Sequence, residues 1–262
     1  DYMEAFNQPN ALIELEEGNY ANTGFTQWGA SGLAVAWAEE NTRESIFKAF
    51  KRKETFATTG TRIALRFFAG YDLQTIDLDS DNLVSQAYSK AVTMGSDLMH
   101  DENKSPDFLV WAQRDKNGAA LQRVQIVKGW IDMGSGTPYE KVFDVACSDG
   151  MNVDPETNRC PDNGARVNIN DCSISQDVGA AELKSYWNDP EFDPNVKSFY
   201  YVRVLENPSC RWSTWDAVKA GFKPREDIHD TIQERAWSSP IWYIPAVNEY
   251  SVIPLGGTVA ID

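Results

Sequence analysis

Residues 40–68, ENTRESIFKAFKRKETFATTGTRIALRFF, join a charged helix to a strand through a Thr-Thr-Gly turn. Asn41 or Thr42 can cap the first amide groups of this helix, and Glu44 follows Asn41 at the spacing of a capping box. Basic residues crowd the other end, where the helix dipole favours positive charge. These signals predict a helix over residues 42–53. Its apolar stripe is formed by Ile46, Phe47, Ala49 and Phe50.

Strands dominate the chain after this turn. In residues 61–68, the apolar Ile63, Leu65 and Phe67 alternate with Arg62, Ala64 and Arg66. Five later segments are rich in β-branched and aromatic residues and are separated by turn residues: PDFLVWAQRD, LQRVQIVKGWID, YEKVFDVA, SFYYVRVLE and SSPIWYIP. Because helices do not alternate with strands, a doubly wound parallel sheet is disfavoured. The expected fold class is mainly β with minor α (α+β), an antiparallel β-sandwich of two packed sheets.

Four other segments carry shorter helix signals. Residues 82–92, NLVSQAYSKAV, predict a second helix that is closed by Gly95. A third helix is expected near GAAELKSYW at residues 179–187, and single helical turns are expected at residues 214–221 and 231–237.

Composition and charge exclude several classes of protein. The chain has 262 residues and is 42% hydrophobic, which is enough for a substantial core and excludes a disordered chain. Its apolar runs are too short for a membrane span, and a net charge of -15 repels phosphate backbones and anionic lipid headgroups. Neither nucleic acid nor a membrane is therefore expected as a partner.

The four cysteines predict disulfides. Three of them, Cys147, Cys160 and Cys172, lie in a long loop rich in Asn, Asp, Gly and Pro, and Cys210 follows later. Their spacings lack the C-x2-C pair of a zinc site. Of the three possible pairings, loop closure and local order favour Cys147 with Cys160 and Cys172 with Cys210. Two disulfides predict an oxidising compartment, periplasmic or extracellular, whereas four free buried thiols in a cytosolic protein are the alternative.

Three polar segments were candidates for an ion site, and each fits poorly. The segment DGMNVDPETN at residues 149–158 has many oxygen-bearing side chains but lacks the spacing of a calcium loop. The two histidines lie in acidic loops, one with Asp227, His229 and Asp230 and the other with Asp97, His100, Asp101 and Glu102. Because both loops are polar, solvated histidines are the simpler interpretation, and no metal ligand is predicted in this chain.

Charged and aromatic residues late in the chain predict a brace rather than a catalytic centre. We expect a buried network of ion pairs and stacked rings within the sandwich, with anion binding as the alternative. Its members are Arg203, Glu206, Arg211, Glu234, Arg235 and Trp237. The serines at 238 and 239 lack a nucleophile elbow, so nucleophilic catalysis has little support.

Four stretches in order resemble a known family: GLAVAWAEENTRESIFKAFKRKETFATTGTRIALRFFAGYDL, LQRVQIVKGWID, FYYVRVLENPSCRWS and TIQERAWSSPIWY. Together they look like the C-terminal half of the bacterial domain-of-unknown-function family 3604. That family is similar to the PHP metal-dependent hydrolases, named for polymerase and histidinol phosphatase domains. In related PHP-like proteins, a helix followed by a Thr-Thr-Gly or Thr-Ser-Gly turn closes the catalytic barrel and leads into an appended β-sandwich.

The resemblance implies a division of the chain. Residues 1–59 would be the terminal segment of a PHP-like barrel, with the quoted helix as its last element. Residues 60–262 would form the β-sandwich domain, with a disulfide-stapled insertion at residues 147–172. PHP-type enzymes bind two or three divalent metals through D-x-H and H-x-H motifs and typically hydrolyse phosphate esters. Those motifs are expected upstream of Asp1, because this chain has only two histidines.

The same resemblance suggests where substrate could touch this chain. Glu39, Glu40 and Arg43 precede and begin the helix, at a place where loops can face a catalytic mouth, so they are candidate substrate-binding residues. Helix capping and surface charge are the simpler explanation of these side chains. The catalytic residues themselves stay unknown, and a divalent metal is expected only in the upstream part.

Two functional hypotheses follow. In the first, the chain is the C-terminal portion of an extracytoplasmic metal-dependent hydrolase, with phosphate esters as one candidate substrate class. This portion is expected to be structural and inactive alone, and its partner is its own upstream portion. In the second, it is a secreted β-sandwich binding module whose nine tryptophans and ten tyrosines line a surface for carbohydrate or protein. Aromatic residues on strands more often belong to a core, which favours the first hypothesis.

Overall fold

The computed structural model describes residues 12–16, 18–21, 28–102 and 104–246. The helices of this part are α1 (Arg43–Arg52), α2 (Leu83–Lys90) and α3 (Trp212–Lys219), with a short 3-10 helix at Leu73–Thr75. The strands are β1 (Leu12–Leu15), β2 (Gly18–Ala21), β3 (Leu33–Ala36), β4 (Thr55–Thr58), β5 (Ala64–Gly70), β6 (Ala91–Thr93), β7 (Asp97–Met99), β8 (Asp107–Gln113), β9 (Leu121–Ile131), β10 (Pro138–Cys147), β11 (Val167–Asn168), β12 (Ser173–Ile174), β13 (Glu182–Asn188), β14 (Ser198–Glu206), β15 (Ser209–Cys210), β16 (Thr231–Ile232), β17 (Arg235–Ser238) and β18 (Ile241–Ile244).

Two mainly antiparallel sheets form the body of the protein. The large sheet has the order β10-β9-β14-β17-β4-β3, and β18 pairs with the other end of β14. The small sheet has the order β13-β8-β5-β6. The predicted fold class, mainly β with minor α, is confirmed. One strand pair is not antiparallel as predicted, because β7 runs parallel to β18.

The core lies between the inner faces of these sheets. Phe67 and Phe108 of the small sheet stack with their ring centroids 5.8 Å apart. Tyr200 of the large sheet meets Phe108 at 4.4 Å, and all three side chains are buried. Such contacts between facing sheets bury large apolar areas, which drives sandwich formation.

A second apolar layer covers the outer face of the small sheet. Leu83 and Ala87 of α2 and Leu73 of the 3-10 helix pack against Phe68 and Leu109. Strand β5 therefore buries consecutive residues on both of its faces, which the simple alternation of residues 61–68 does not predict.

The Thr-Thr-Gly turn carries the chain from one sheet to the other. Strand β4 belongs to the large sheet and β5 to the small one. Gly60 has a φ of 137°, where glycine is favoured, and Thr58 Oγ1 accepts from the Gly60 amide at 3.1 Å and donates to the Thr61 carbonyl at 2.6 Å. The turn thus closes one end of the sandwich. A domain division at residues 59 and 60 stays a prediction, although β4 before it already pairs with β17.

The predicted first helix is confirmed as α1. Thr42 is its N-cap, and its hydroxyl accepts from the Ser45 amide at 3.3 Å. Lys53 adopts the left-handed conformation that ends the helix. The helix predicted at residues 82–92 is α2, but it ends at Lys90 and not at Gly95, because β6 follows it directly. The single turn predicted at residues 214–221 is part of the longer helix α3.

Two other helix predictions are wrong. Residues 179–187 lead into strand β13, which pairs along its whole length with β8. Residues 231–237 contain β16 and most of β17, and β17 lies between β14 and β4 in the large sheet. In both segments, pairing with distant strands overrides a local helical pattern.

The predicted disulfides are confirmed, and the alternative of free thiols is wrong. Cys147 bonds to Cys160 with a Cα separation of 5.5 Å, and Cys172 bonds to Cys210 with a separation of 5.6 Å. The first bridge closes the loop that follows β10. The second ties the insertion to β15, directly before α3. None of the helices in the described ranges has the length and apolar character that a membrane crossing requires.

Candidate functional site

The structure separates the three candidate substrate-binding residues. Glu39 is exposed and lines a cleft beside α1, which we call the Arg66 cleft. Arg43 begins α1 and lines a different depression, which we call the α1 groove. Glu40 is exposed, and its amide donates to Ser45 Oγ at 3.1 Å. The structure thus gives Glu40 a local role at the start of the helix, and contact with substrate stays a prediction for all three.

The Arg66 cleft has a volume of about 670 Å³ and combines charged with aromatic side chains. It lies between the segment before α1, the end of α1, strand β5 and the region of α2 and β6. Its lining residues are Trp37, Ala38, Glu39, Arg52, Glu54, Arg66, Tyr88, Ala91, Val92, Thr93 and Ser96.

A buried carboxylate organises this cleft. Glu54 follows the end of α1 and is only 4% exposed. One of its oxygens accepts from the Tyr88 hydroxyl, and the other accepts from Arg52 Nη2 at 3.2 Å and Nε at 3.4 Å. A buried charge is costly unless it is paired and hydrogen-bonded, and these contacts satisfy that condition.

Arg66 is fixed in the same network by stacking. Its guanidinium carbon lies 3.7 Å from the centroid of the Trp37 ring, and its Nη1 donates to the Tyr88 hydroxyl at 2.8 Å. The Trp37 ring is held in turn, because its Nε1 donates to the Leu65 carbonyl at 2.8 Å. A guanidinium held over a ring is pre-organised to bind an anionic group.

The Tyr88 hydroxyl of the cleft is a poor proton acceptor. Burial raises the pKa of Tyr88 to about 12, and the hydrogen bond to Glu54 adds to this shift, while Arg66 opposes it. Tyr88 is therefore a neutral hydrogen-bond donor near pH 7 and cannot serve as a general base there. The geometry suits recognition and rigid support.

Replacing Tyr88 tests this network. We expect Tyr88→Phe to lower the free energy of unfolding by about 1–1.5 kcal/mol, because buried Glu54 loses a hydrogen bond and water can replace only part of it at a ring that is 42% exposed. Urea titration of tryptophan fluorescence measures the change. The matched control is Tyr139→Phe, whose ring is similarly exposed at 49% but whose hydroxyl makes no hydrogen bond with the described residues, and which should change stability by less than about 0.5 kcal/mol. Equal effects of the two substitutions would contradict the role given to Tyr88.

The α1 groove is apolar and shallow, with a volume of about 660 Å³. Within the predicted apolar stripe of α1, Ala49 is buried, but Phe47 is 61% exposed and Phe50 is 53% exposed. Ile46, Arg43 and Glu44 complete its lining. Half of the stripe thus faces outward, and large exposed apolar side chains grouped in this way mark interaction surfaces.

The acidic segments around the histidines do not assemble a metal site within the described residues. The prediction of a polar loop with a solvated histidine is wrong for His100, because Asp97–Met99 form β7 and His100 is half-buried beside β18. His100 Nδ1 lies 2.7 Å from the Tyr243 hydroxyl, which donates to the Pro194 carbonyl at 3.0 Å. His229 is exposed, and Asp227 pairs with Arg225. Over the described ranges, no three His, Cys, Asp or Glu side chains come together so as to hold a metal ion.

The polar loop at residues 149–158 uses its carboxylates locally. Asp149 accepts from the Gly179 amide at 2.8 and 3.0 Å, and Asp154 accepts from the Glu156 amide at 2.8 Å. Desolvation raises the pKa of Asp149, but hydrogen bonds from Ser148, Gly179 and Asn163 together outweigh it, so the pKa is lowered. The pKa of Asp154 is lowered by hydrogen bonds from the Glu156 and Thr157 amides. The side chains therefore shape turns in the loop.

The predicted ion-pair brace is only partly present. Arg235 does stack over Trp237, at 5.9 Å from the ring centroid. Arg203, however, bonds to Gln125 Oε1 at 2.6 Å, and the side chains of Glu206 and Glu234 are neighbours of each other. The expected pairing of arginine with glutamate among these residues is therefore wrong for Arg203.

Sequence reasoning missed most of the Arg66 cleft. Its charged members come from the end of α1, from β5 and from α2, so no short motif contains them. The one available signal was Arg66, which lies on the opposite face of the strand from Leu65 and Phe67. Nothing in the sequence near Glu54 indicates that its carboxylate is buried.

Comparison with known proteins gives one match. A family model with the description "Protein of unknown function (DUF3604)" matches residues 3–245. Searches of curated proteins and of solved structures found no significant match. Because the matched range covers most of the 262 residues, the chain belongs to the DUF3604 family.

Proposed function

We propose that this chain is the non-catalytic, C-terminal β-sandwich portion of an extracytoplasmic metal-dependent hydrolase of the PHP-like type, acting on phosphate esters. In this proposal, a catalytic portion encoded upstream packs against α1 and binds the divalent metals. The observation that carries the proposal is the outward apolar face of α1, where Phe47 and Phe50 are exposed.

The exposed face fits the role that the resemblance implies for α1. Phe47 and Phe50 are three residues apart, so they lie on one side of the helix. Covering a phenylalanine side chain is worth about 1.5–3 kcal/mol, so a partner gains substantially from packing here. A helix that closes a barrel needs an apolar side toward its neighbouring elements and another toward the appended domain. Phe47 and Phe50 on one side and buried Ala49 on the other match this requirement.

The position of the cleft also supports the proposal. Glu39 lines the Arg66 cleft and Arg43 lines the α1 groove, so both flank the surface that the catalytic portion would cover. The stacked guanidinium of Arg66 could then contact an anionic substrate or an acidic side chain of the catalytic portion. The two disulfides favour an oxidising compartment, and we propose a periplasmic or secreted location.

Activity measurements on two lengths of the protein test the proposal. With Mn²⁺ or Zn²⁺ added, we expect the present chain to give negligible hydrolysis of an aryl phosphate, and a version extended upstream to turn the substrate over. Comparable rates for the two lengths would contradict the proposal. Saturable binding of a glycan by the present chain alone would favour a secreted binding module instead.

Substitution of the α1 face tests the contact itself. In the extended version, we expect Phe47→Asp with Phe50→Asp to reduce hydrolysis at least tenfold, because two charges are placed in an apolar contact. In the present chain, the same pair should leave the thermal midpoint nearly unchanged, since both rings are exposed. The matched control is Tyr139→Asp with Phe222→Asp, which alters two other exposed rings. If the control pair reduces hydrolysis as strongly, the α1 face has no special role.

A further inference from the structure

Three buried oxygen atoms at one end of the sandwich have no hydrogen-bond partner within the described residues. They are Thr61 Oγ1, Glu206 Oε1 and Glu234 Oε2. Buried polar atoms are nearly always satisfied in folded proteins, so a group of them points to a water molecule or ion that completes the site. Glu206 is only 1% exposed, which makes an unsatisfied carboxylate there especially costly.

The sheet register places the two carboxylates side by side. Leu205 of β14 lies opposite Arg235 of β17, and the Glu206 amide donates to the Glu234 carbonyl at 2.9 Å. Glu206 and Glu234 therefore continue the ladder as a facing pair, with side chains on the same face of the sheet. Like charges directly opposite each other destabilise a sheet unless something separates or neutralises them.

The surroundings of Glu206 add negative charge. Burial raises the pKa of Glu206 to about 7, and the carboxylates of Glu234 and Asp115 add to the shift. The Thr61 hydroxyl and the Ala119 amide oppose it, but Thr61 Oγ1 lies near the carboxylate without the geometry of a hydrogen bond, so it stays available to a ligand. Gly118 lies against the carboxylate, and a β-carbon there would come within 3.0 Å of Glu206 Oε1. The site therefore has oxygen ligands, an excess of negative charge and a backbone that approaches closely.

We propose that Glu206, Glu234 and Thr61 bind a calcium ion. All three unsatisfied atoms are oxygens, which Ca²⁺ prefers, whereas zinc sites are built largely from nitrogen and sulfur ligands. The double positive charge of Ca²⁺ balances the two carboxylates. Water and backbone carbonyl groups would complete the six to eight ligands that this ion takes.

The ion would have a structural role. Glu206 ends β14, Glu234 precedes β17, and Thr61 belongs to the turn that joins β4 to β5. A calcium ion among them would tie the turn between the sheets to the middle of the large sheet. This calcium site is distinct from the hydrolytic metal site of the proposed upstream portion, and it does not depend on the proposed function. It differs from the sequence-based prediction that this chain holds no metal ligand.

Calcium titration of the chelator-treated chain tests the site. At pH 7.5, we expect isothermal titration with CaCl₂ to show one site with a Kd of about 0.1 mM, in the range of extracellular calcium modules. At 10 mM Ca²⁺, the folding equilibrium should then shift about 100-fold, which raises the thermal midpoint by about 5 °C. Glu206→Gln and Glu234→Gln should each abolish both effects. Glu226→Gln, which alters an exposed carboxylate paired with Lys223, should leave them unchanged.

Three outcomes would overturn the inference. One is the absence of calcium binding up to 10 mM. If the chain without calcium is also more stable at acidic pH than at pH 7.5, Glu206 and Glu234 share a proton instead of an ion. Another is calcium binding that persists in either glutamine variant, which would show that this carboxylate is not a ligand of the ion. Thr61→Val provides a second variant if a glutamine variant does not fold, and it should weaken binding about tenfold. Unchanged affinity in Thr61→Val would also count against the site.

Discussion

Loss of the Cys172–Cys210 disulfide is expected to lower the free energy of unfolding by about 4 kcal/mol. The bridge spans 38 residues, and the chain-entropy estimate for a closed loop of this length gives that value. The enclosed segment includes β13 of the small sheet and β14 of the large sheet. Without the bridge, the unfolded chain gains freedom in a region that supplies strands to both sheets.

The second disulfide provides the comparison. The Cys147–Cys160 bridge spans only 13 residues, so the same estimate gives about 3 kcal/mol for its removal. Urea unfolding of the two double serine variants, followed by tryptophan fluorescence, measures both changes. We expect the Cys172→Ser and Cys210→Ser pair to be the less stable variant. The reverse order, or a loss below about 1 kcal/mol for this pair, would contradict the argument from loop length.

Asp189→Ala is expected to destabilise the protein by about 3–5 kcal/mol. Lys128 and Asp189 are both 5% exposed, and Lys128 Nζ lies 2.5 Å from Asp189 Oδ2. The Tyr200 hydroxyl donates to the same oxygen at 2.8 Å. Removing the carboxylate leaves a buried ammonium group with one hydrogen bond, to the Glu191 carbonyl at 2.7 Å, and the ring of Trp130 at 5.2 Å. The charge on Lys128 then loses its carboxylate partner inside the sandwich.

A double substitution separates this mechanism from a simple loss of packing. In Lys128→Met with Asp189→Leu, no charge is buried, so we expect most of the lost stability to return. The control is Lys141→Met, which breaks the exposed pair with Glu191 and should cost less than about 1 kcal/mol. Urea titrations of the four proteins measure these differences. A double variant no more stable than Asp189→Ala would contradict the explanation.

Local sequence signals predicted the strands and the disulfides well. All six strand segments contain strands, because each combines β-branched and aromatic residues with clear turn residues at its ends. Disulfides were predicted from a loop with too few apolar residues to pack against the core, and their pairing was chosen among three connectivities by loop closure and local order. Helix α1 had a cap, an apolar stripe and a basic end, so its bounds were predicted to within one residue.

Features that depend on distant residues could not be predicted. The segment GAAELKSYW has helix-forming residues, yet it leads into β13 because β8 offers a full-length partner. The exposure of Phe47 and Phe50 depends on which side of α1 meets the sheet. The contacts of Glu54, and the pairing of Glu206 with Glu234, depend on residues far away in sequence.

The order of the disulfides along the chain has a consequence for biogenesis. Each cysteine is bonded to the next one in sequence, first Cys147 with Cys160 and then Cys172 with Cys210. A polypeptide that enters an oxidising compartment from its N-terminus therefore reaches the native connectivity when thiols are oxidised in the order of their emergence. Within residues 147–210, oxidation in this order gives the native pairs without any reshuffling of disulfides.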